Sequence, residues 1–101
     1  MFPEQTYEFS APVWLYQGQA AWYFVTLPVD IAARIRHLIT GPRRGWGSVR
    51  VKAAIGSTTW NTSIFPSKEA NSFLLPIKAQ VRKTEKLALG NTPLIRLTVL
   101  E

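Results

Sequence analysis

The chain has 101 residues, of which 47% are hydrophobic and 18% are charged, and this balance is typical of a folded domain rather than a disordered segment. One hydrophobic core and a single domain over residues 1–101 are expected at this length. Because the sequence contains no Cys and one His, it excludes disulfides, thiolate metal sites and Cys nucleophiles, and it predicts neither a metal nor a cofactor. The net charge of +6 favours an anionic partner; the alternative is a solvated basic surface that keeps the protein soluble.

The first residues, Met1 to Glu4, do not resemble a signal peptide, because no basic region precedes an apolar stretch. The most apolar segment, residues 20–29, contains Thr26 and Pro28 and is far shorter than the roughly 20 residues of a membrane-spanning helix. We therefore expect a cytoplasmic protein without a membrane segment.

The N-terminal third of the sequence predicts a β-hairpin. Residues 6–16 are rich in aromatic and β-branched residues and contain Pro12, so they predict an edge strand that is broken or bulged near this proline. Residues 17–19 are expected to form a turn, and residues 20–27 are expected to return as the second strand.

A helix is predicted next, over residues 30–39. Asp30 is a good N-cap, and apolar residues recur after it at helical spacing. The pair Gly41-Pro42 terminates helices, so residues 41–47 are expected to form a loop.

The remaining sequence predicts a second set of strands and a second helix. Gly56-Ser57 fits a type II′ hairpin turn between two strands. The predicted elements are strands at 49–55, 58–65, 72–75 and 94–100 and a helix at 78–86. Trp14, Trp22 and Trp60 fall in strands, where we expect them to be buried.

Two parts of the chain resemble each other. Leu27-Pro28-Val29 recurs 48 positions later as Leu75-Pro76-Ile77, and the same offset aligns Arg34 with Arg82. Each unit, approximately 20–55 and 70–101, is predicted to contain a strand, a helix and a strand. Two such units related by an approximate two-fold axis would close one barrel.

Several segments carry a resemblance to a known family. They are residues 45–52 (GWGSVRVK), 55–56, 58–66 (TTWNTSIFP), 74–78 (LLPIK), 81–83, and 22–25 (WYFV) before Leu27-Pro28. In these segments the chain resembles the bacterial and archaeal family called domain of unknown function 1905.

The resemblance implies a fold that is mainly β with two short helices, a double-split, pseudo-two-fold β-barrel. The same fold class contains swapped-hairpin transcription factors of the AbrB and MazE kind, but a fold does not carry a function with it. In the family pattern Asp follows the glycine before the last strand, whereas Asn91 follows Gly90 in this chain. A role for an acid in that turn is therefore unsupported.

No catalytic constellation is evident. His37 is the one histidine, and it lies off the apolar stripe of its predicted helix, so a solvent-facing side chain is expected. The six acids are scattered along the chain, and residues 41–47 lack the ending of a phosphate-binding loop. We therefore expect no enzyme.

Basic residues are the strongest remaining signal. No Asp or Glu occurs from Ile31 to Ser67, and Lys78, Arg82 and Lys86 recur every four residues, which places like charges on one helical face. The candidate anion-binding residues are Arg34, Arg36, Arg43, Arg44, Lys78 and Arg82. Trp46 is close in sequence to Arg43 and Arg44, and we expect its side chain either to stack on a ligand or to fill one end of the barrel.

Three functions remain open on this basis. The leading hypothesis is a non-enzymatic binding module for an anionic small molecule or an acidic protein. The alternative is nucleic-acid binding of the AbrB type, and the third is an enzyme with an unrecognised pocket.

Overall fold

A computed structural model describes residues 5–18, 21–39 and 47–100. In these ranges the fold is mainly β with two helices, as predicted. The strands are β1 (Thr6–Ser10), β2 (Val13–Gln17), β3 (Ala21–Thr26), β4 (Val49–Ile55), β5 (Thr58–Ser67), β6 (Ser72–Pro76) and β7 (Leu94–Val99). The helices are α1 (Val29–Leu38) and α2 (Ala79–Thr84).

The strands form one antiparallel sheet in the order β1-β7-β4-β5-β6-β3-β2, which curls into a half-barrel. The long strand β5 connects its two parts, because residues 58–64 pair with β4 and residues 65–67 pair with β6. The finer expectation, a double-split barrel, stays a prediction. No helix among the described residues is long and apolar enough to cross a membrane.

The inner face of the half-barrel is filled mainly by aliphatic side chains. Alternate residues of β4 and β7 are buried, as expected for strands with one face in the core. The fully buried side chains of the strands include Val25, Val49, Val51, Ile64, Leu75, Ile95 and Leu97. The core therefore lies in the concave side of the sheet, where both helices cover it through Ile31, Ile35 and Val81.

The predicted break near Pro12 is confirmed. β1 ends at Ser10 and β2 begins at Val13, so the chain turns a corner at Ala11-Pro12. Val13 exchanges backbone hydrogen bonds of 2.9 Å with the turn before β7, donating to the Asn91 carbonyl and accepting from Gly90. This bond pair fixes the corner.

The predicted cap of the first helix is wrong. α1 begins at Val29, Pro28 occupies the N-cap position with φ −56° and ψ 144°, and no side chain caps the helix. The Pro28 carbonyl already accepts the first helical bond, from Ala32 at 3.0 Å. Asp30 lies instead in the first turn, where its negative charge still interacts favourably with the helix dipole.

The second helix is shorter than predicted, and Lys86 lies outside it. Lys86 has φ 56°, Lys86 donates to the Lys83 carbonyl at 3.3 Å, and Leu87 donates to the Arg82 carbonyl at 2.8 Å. This is the Schellman ending of a helix, with lysine at the position that glycine usually takes. Lys78, Arg82 and Lys86 therefore do not share one helical face.

The connections from β3 to α1 and from β6 to α2 show two-fold symmetry. Val25 pairs with Leu75 at the centre of the two strands. Leu27 donates to the Phe73 carbonyl at 3.0 Å, and Ile77 donates to the Tyr23 carbonyl at 2.8 Å. The two helices begin at Val29 and Ala79, which are 50 positions apart. By this offset, rather than 48, Arg82 corresponds to Ala32 and not to Arg34. Duplication of the unit stays a prediction.

Candidate functional site

The six predicted anion-binding residues do not form one cluster. Arg43 and Arg44, together with Trp46, lie outside the described residues. Arg34 lines a shallow depression with Tyr7 and His37. Lys78 and Arg82 are the pair that the structure brings together, because both line the same cleft.

Arg36 has a structural role on the opposite side of the two-fold axis. Its Nη2 lies 3.4 Å from the Asn71 carbonyl and 3.5 Å from Asn71 Oδ1, and its guanidinium carbon lies 5.8 Å from the centre of the Phe73 ring. These contacts connect α1 with the turn between β5 and β6. Arg36 does not line the cleft of Lys78 and Arg82.

The cleft opens between the start of β3, the first half of β5 and the start of α2, and its volume is about 370 Å³. The cleft exists because the first half of β5 and the start of β3 are not paired with each other. Residues 58–64 of β5 pair with β4, and β6 lies between β5 and β3 only from residue 65 of β5 onward. The lining residues are Ala21, Trp22, Tyr23, Trp60, Asn61, Thr62, Pro76, Ile77, Lys78, Ala79 and Arg82.

Arg82 is held in a defined position at this cleft. Its guanidinium carbon lies 3.7 Å from the centre of the Tyr23 ring, and its Nε donates to the Ile77 carbonyl at 3.1 Å. Stacking on an aromatic ring and a fixed Nε bond orient the planar guanidinium while its charge is retained. The Nη nitrogens of Arg82 make no hydrogen bond within the described residues, so they are available to an anion.

The charge of the cleft is positive. Lys78 and Arg82 contribute to the lining, and none of the lining residues within the described ranges is Asp or Glu. Arg82 and Lys78 make no ion pair with any carboxylate of residues 5–18, 21–39 and 47–100. An anion in this cleft would therefore meet two cations without competition from a built-in carboxylate.

Trp60 adds an unpaired donor to the same lining. Its side chain is 8% exposed, and its indole N–H has no acceptor in the described part of the chain. Because Trp60 lines the open cleft, an acceptor atom of a ligand bound there could pair with this N–H.

The expected burial of the tryptophans is wrong for Trp22, which is 50% exposed. Trp22 points outward with Phe24, because Val25 points inward on the same strand. Trp14 is half-buried on the same outer face and donates to Thr26 Oγ1 at 2.8 Å. The missed signal is the pattern of β2 and β3, where apolar residues occupy both faces instead of alternating with polar ones.

The structure places His37 as expected and assembles no metal site in the part of the chain that it describes. His37 is exposed on α1. Among residues 5–18, 21–39 and 47–100, no group of three His, Asp or Glu side chains is arranged to hold a metal ion.

Comparison with known families agrees with the resemblance in the sequence. The family model described as Domain of unknown function (DUF1905) matches residues 9–97. The chain belongs to this family. The DUF1905 match runs from Phe9 in β1 to Leu97 in β7 and therefore includes every residue that lines the cleft. None of the curated proteins matches the chain.

Proposed function

We propose that this protein is a non-enzymatic binding module whose cleft between β3, β5 and α2 holds an anionic small molecule. The observation that carries the proposal is the fixation of Arg82. The Tyr23 ring and the Ile77 carbonyl hold this guanidinium at the cleft, beside Lys78. A positioned guanidinium is well suited to phosphate or carboxylate groups, because it donates two parallel hydrogen bonds.

The rest of the lining favours a ligand with a planar apolar part. Trp22, Tyr23 and Trp60 contribute aromatic surface, and Asn61 and Thr62 contribute polar atoms. A concave site with aromatic walls and a few polar groups is the usual form of a small-molecule site. An acidic protein segment fits a narrow cleft of about 370 Å³ less well.

The proposal includes that the protein catalyses no reaction in this cleft. None of the described residues that line the cleft is His, Asp or Glu, the side chains that most often take a proton from a substrate. In this proposal Lys78 binds the anion and Tyr23 positions Arg82, and neither moves a proton. The proposal also includes a cytoplasmic location. It further includes membership of the half-barrel in the double-split class, which the two-fold arrangement of β3 and β6 supports.

Isothermal titration with pyrophosphate and with adenosine monophosphate tests the proposal. We expect both anions to bind, and Arg82→Ala to weaken binding by about 1.5 to 3 kcal/mol, at least roughly tenfold. Arg34→Ala is the matched control, because Arg34 is an exposed arginine of α1 outside the cleft. Equal affinity of the Arg82→Ala and Arg34→Ala proteins, or no binding of either anion, would contradict the proposal.

A further inference from the structure

The outer surface of β2, β3, β5 and β6 is aromatic where a sheet surface facing water is usually polar. The strand registers place the side chains of Trp14, Tyr16, Trp22, Phe24, Phe65 and Leu74 on this one face. Tyr16 is 52% exposed, Trp22 50% and Phe65 40%. We call these six residues the aromatic face, and an exposed apolar patch of this kind marks an interaction surface.

The rings of the aromatic face are ordered against one another. Phe24 lies at the centre, with the ring of Trp22 parallel to it within 9° at 6.0 Å and the ring of Trp14 at 5.4 Å. The hydrogen bond from Trp14 to Thr26 holds the Trp14 indole in place. Rigid, pre-positioned rings lose little conformational freedom when a ligand stacks on them.

Positive charge borders the aromatic face on two sides. Trp22 belongs both to the aromatic face and to the cleft that contains Lys78 and Arg82. On the far side, Lys52 pairs with Asn61, which places this cation on the same outer face as Phe65. None of β2 to β6 contains Asp or Glu.

We infer that the aromatic face and the adjoining cleft together bind single-stranded nucleic acid. Bases stack on the exposed rings of Tyr16, Trp22 and Phe65, and a phosphate lies against Lys78 and Arg82. Exposed aromatic rings on a sheet with cationic borders are the combination that single strands require, since every base offers a face and every linkage a negative charge. The phosphate part of this inference rests on the function proposed for the cleft.

The charge around the aromatic face favours this partner over a second copy of the chain. Five of the six side chains of the face are aromatic, and aromatic residues are common in protein–protein interfaces as well, so charge distinguishes the two partners. Two copies joined through this face would bring the cations of two chains with net charge +6 together. A single strand neutralises those charges instead.

Fluorescence anisotropy with a labelled 12-nucleotide oligothymidylate and the matching duplex provides the test. We expect the single strand to bind more tightly than the duplex and the affinity to fall as salt rises. Tyr16→Ala combined with Phe65→Ala should weaken binding at least about 30-fold, because two rings that stack bases are lost. Both residues lie outside the lining of the cleft, so the same double variant should bind pyrophosphate normally.

Leu94→Ala is the matched control, because Leu94 is an exposed apolar residue of β7, outside the aromatic face, and is 57% exposed. If the folded double variant binds the oligonucleotide like Leu94→Ala, or if the duplex binds as tightly as the single strand, the inference is overturned. Sedimentation that shows a dimer dissociated by Tyr16→Ala would also overturn it, in favour of a second copy. Pyrophosphate binding without oligonucleotide binding overturns this inference and leaves the proposed cleft function standing; binding of neither overturns both.

Discussion

Arg82 and Tyr23 are in close contact in the wall of the cleft, with the guanidinium carbon 3.7 Å from the centre of the ring. The contact connects α2 with β3. The two-fold axis relates Tyr23 of β3 to Phe73 of β6, and Phe73 contacts Arg36 in the same way. The two contacts differ in what surrounds them. Arg36 also binds the Asn71 turn, whereas Arg82 borders a cleft.

Replacing the Tyr23 ring should weaken anion binding without removing a charge. Tyr23→Leu removes the ring that positions Arg82, and a cation–π contact contributes about 0.5 to 2 kcal/mol, so we expect pyrophosphate to bind about 2- to 30-fold more weakly. Tyr23→Phe keeps the ring and should bind normally. Titration calorimetry of both variants decides this, and a similar loss in both would show that the hydroxyl and not the ring matters.

Arg82→Lys tests whether geometry or charge holds the anion. A lysine retains the charge but loses the Nε bond to Ile77 and the planar pair of donors. We expect its pyrophosphate affinity to lie nearer to that of Arg82→Ala than to that of the unchanged protein. Full affinity in the lysine variant would mean that the cleft supplies charge alone.

Gly56→Ala should destabilise the protein through two effects. Gly56 has φ 57°, and a Cβ added there would overlap the carboxylate of Glu85, which accepts a hydrogen bond from Thr58. Backbone strain of this kind costs about 1 to 3 kcal/mol, and the overlap adds to it. Gly90→Ala isolates the strain, because Gly90 has φ 85° and nothing lies within 4 Å of an added Cβ.

Chemical denaturation measures both glycine variants. The free energy of unfolding should fall further for Gly56→Ala than for Gly90→Ala, and Glu85→Ala should reduce that difference. Equal losses would show that the Glu85 side chain yields to the new Cβ.

Ser72→Ala should destabilise the protein where the start of β6 contacts the segment before α1. The hydroxyl is 2% exposed and donates to the Leu27 carbonyl at 2.6 Å, directly before α1. Its removal leaves a carbonyl without this donor, which costs about 1 to 3 kcal/mol. The control is Ser10→Ala, at an exposed position of β1, and the prediction fails if thermal unfolding of the two variants is alike.

The periodic features of the sequence predicted most of the fold. The alternation of apolar and polar residues predicted β4, and Pro12 predicted the break between β1 and β2. Gly56 has the positive φ that the predicted hairpin turn requires. Each of these depends on neighbouring residues alone. Local patterns were therefore sufficient for strands and turns.

Two of the errors lie where distant parts of the chain meet. α2 ends early, with Lys86 at its left-handed position, and Glu85 accepts a hydrogen bond from Thr58 on β5. The outward direction of Trp22 follows from the register of β3 between β2 and β6. No spacing within the sequence contains that information.

The candidate site was predicted in part. Lys78 and Arg82 were named from the sequence, but Arg34 and Arg36, which were named with them, lie outside the lining of the cleft. Trp60 and Trp22 were expected only as buried residues, and Tyr23 was not named as a candidate. Their part in the cleft depends on the gap between β3 and β5, which arises from sheet topology.

A pyrophosphate titration followed by NMR tests the proposed anion binding in the cleft most directly. The signals to follow are those of the tryptophan indole N–H groups in a proton–nitrogen correlation spectrum. Trp60 lines the cleft and has no acceptor in the described part of the chain, whereas Trp14 already donates to Thr26. We predict that the Trp60 signal, assigned with Trp60→Phe, shifts with saturation and that the Trp14 signal stays in place. An unmoved Trp60 signal at saturating pyrophosphate, with shifts confined to residues around Arg34, would contradict the proposed cleft.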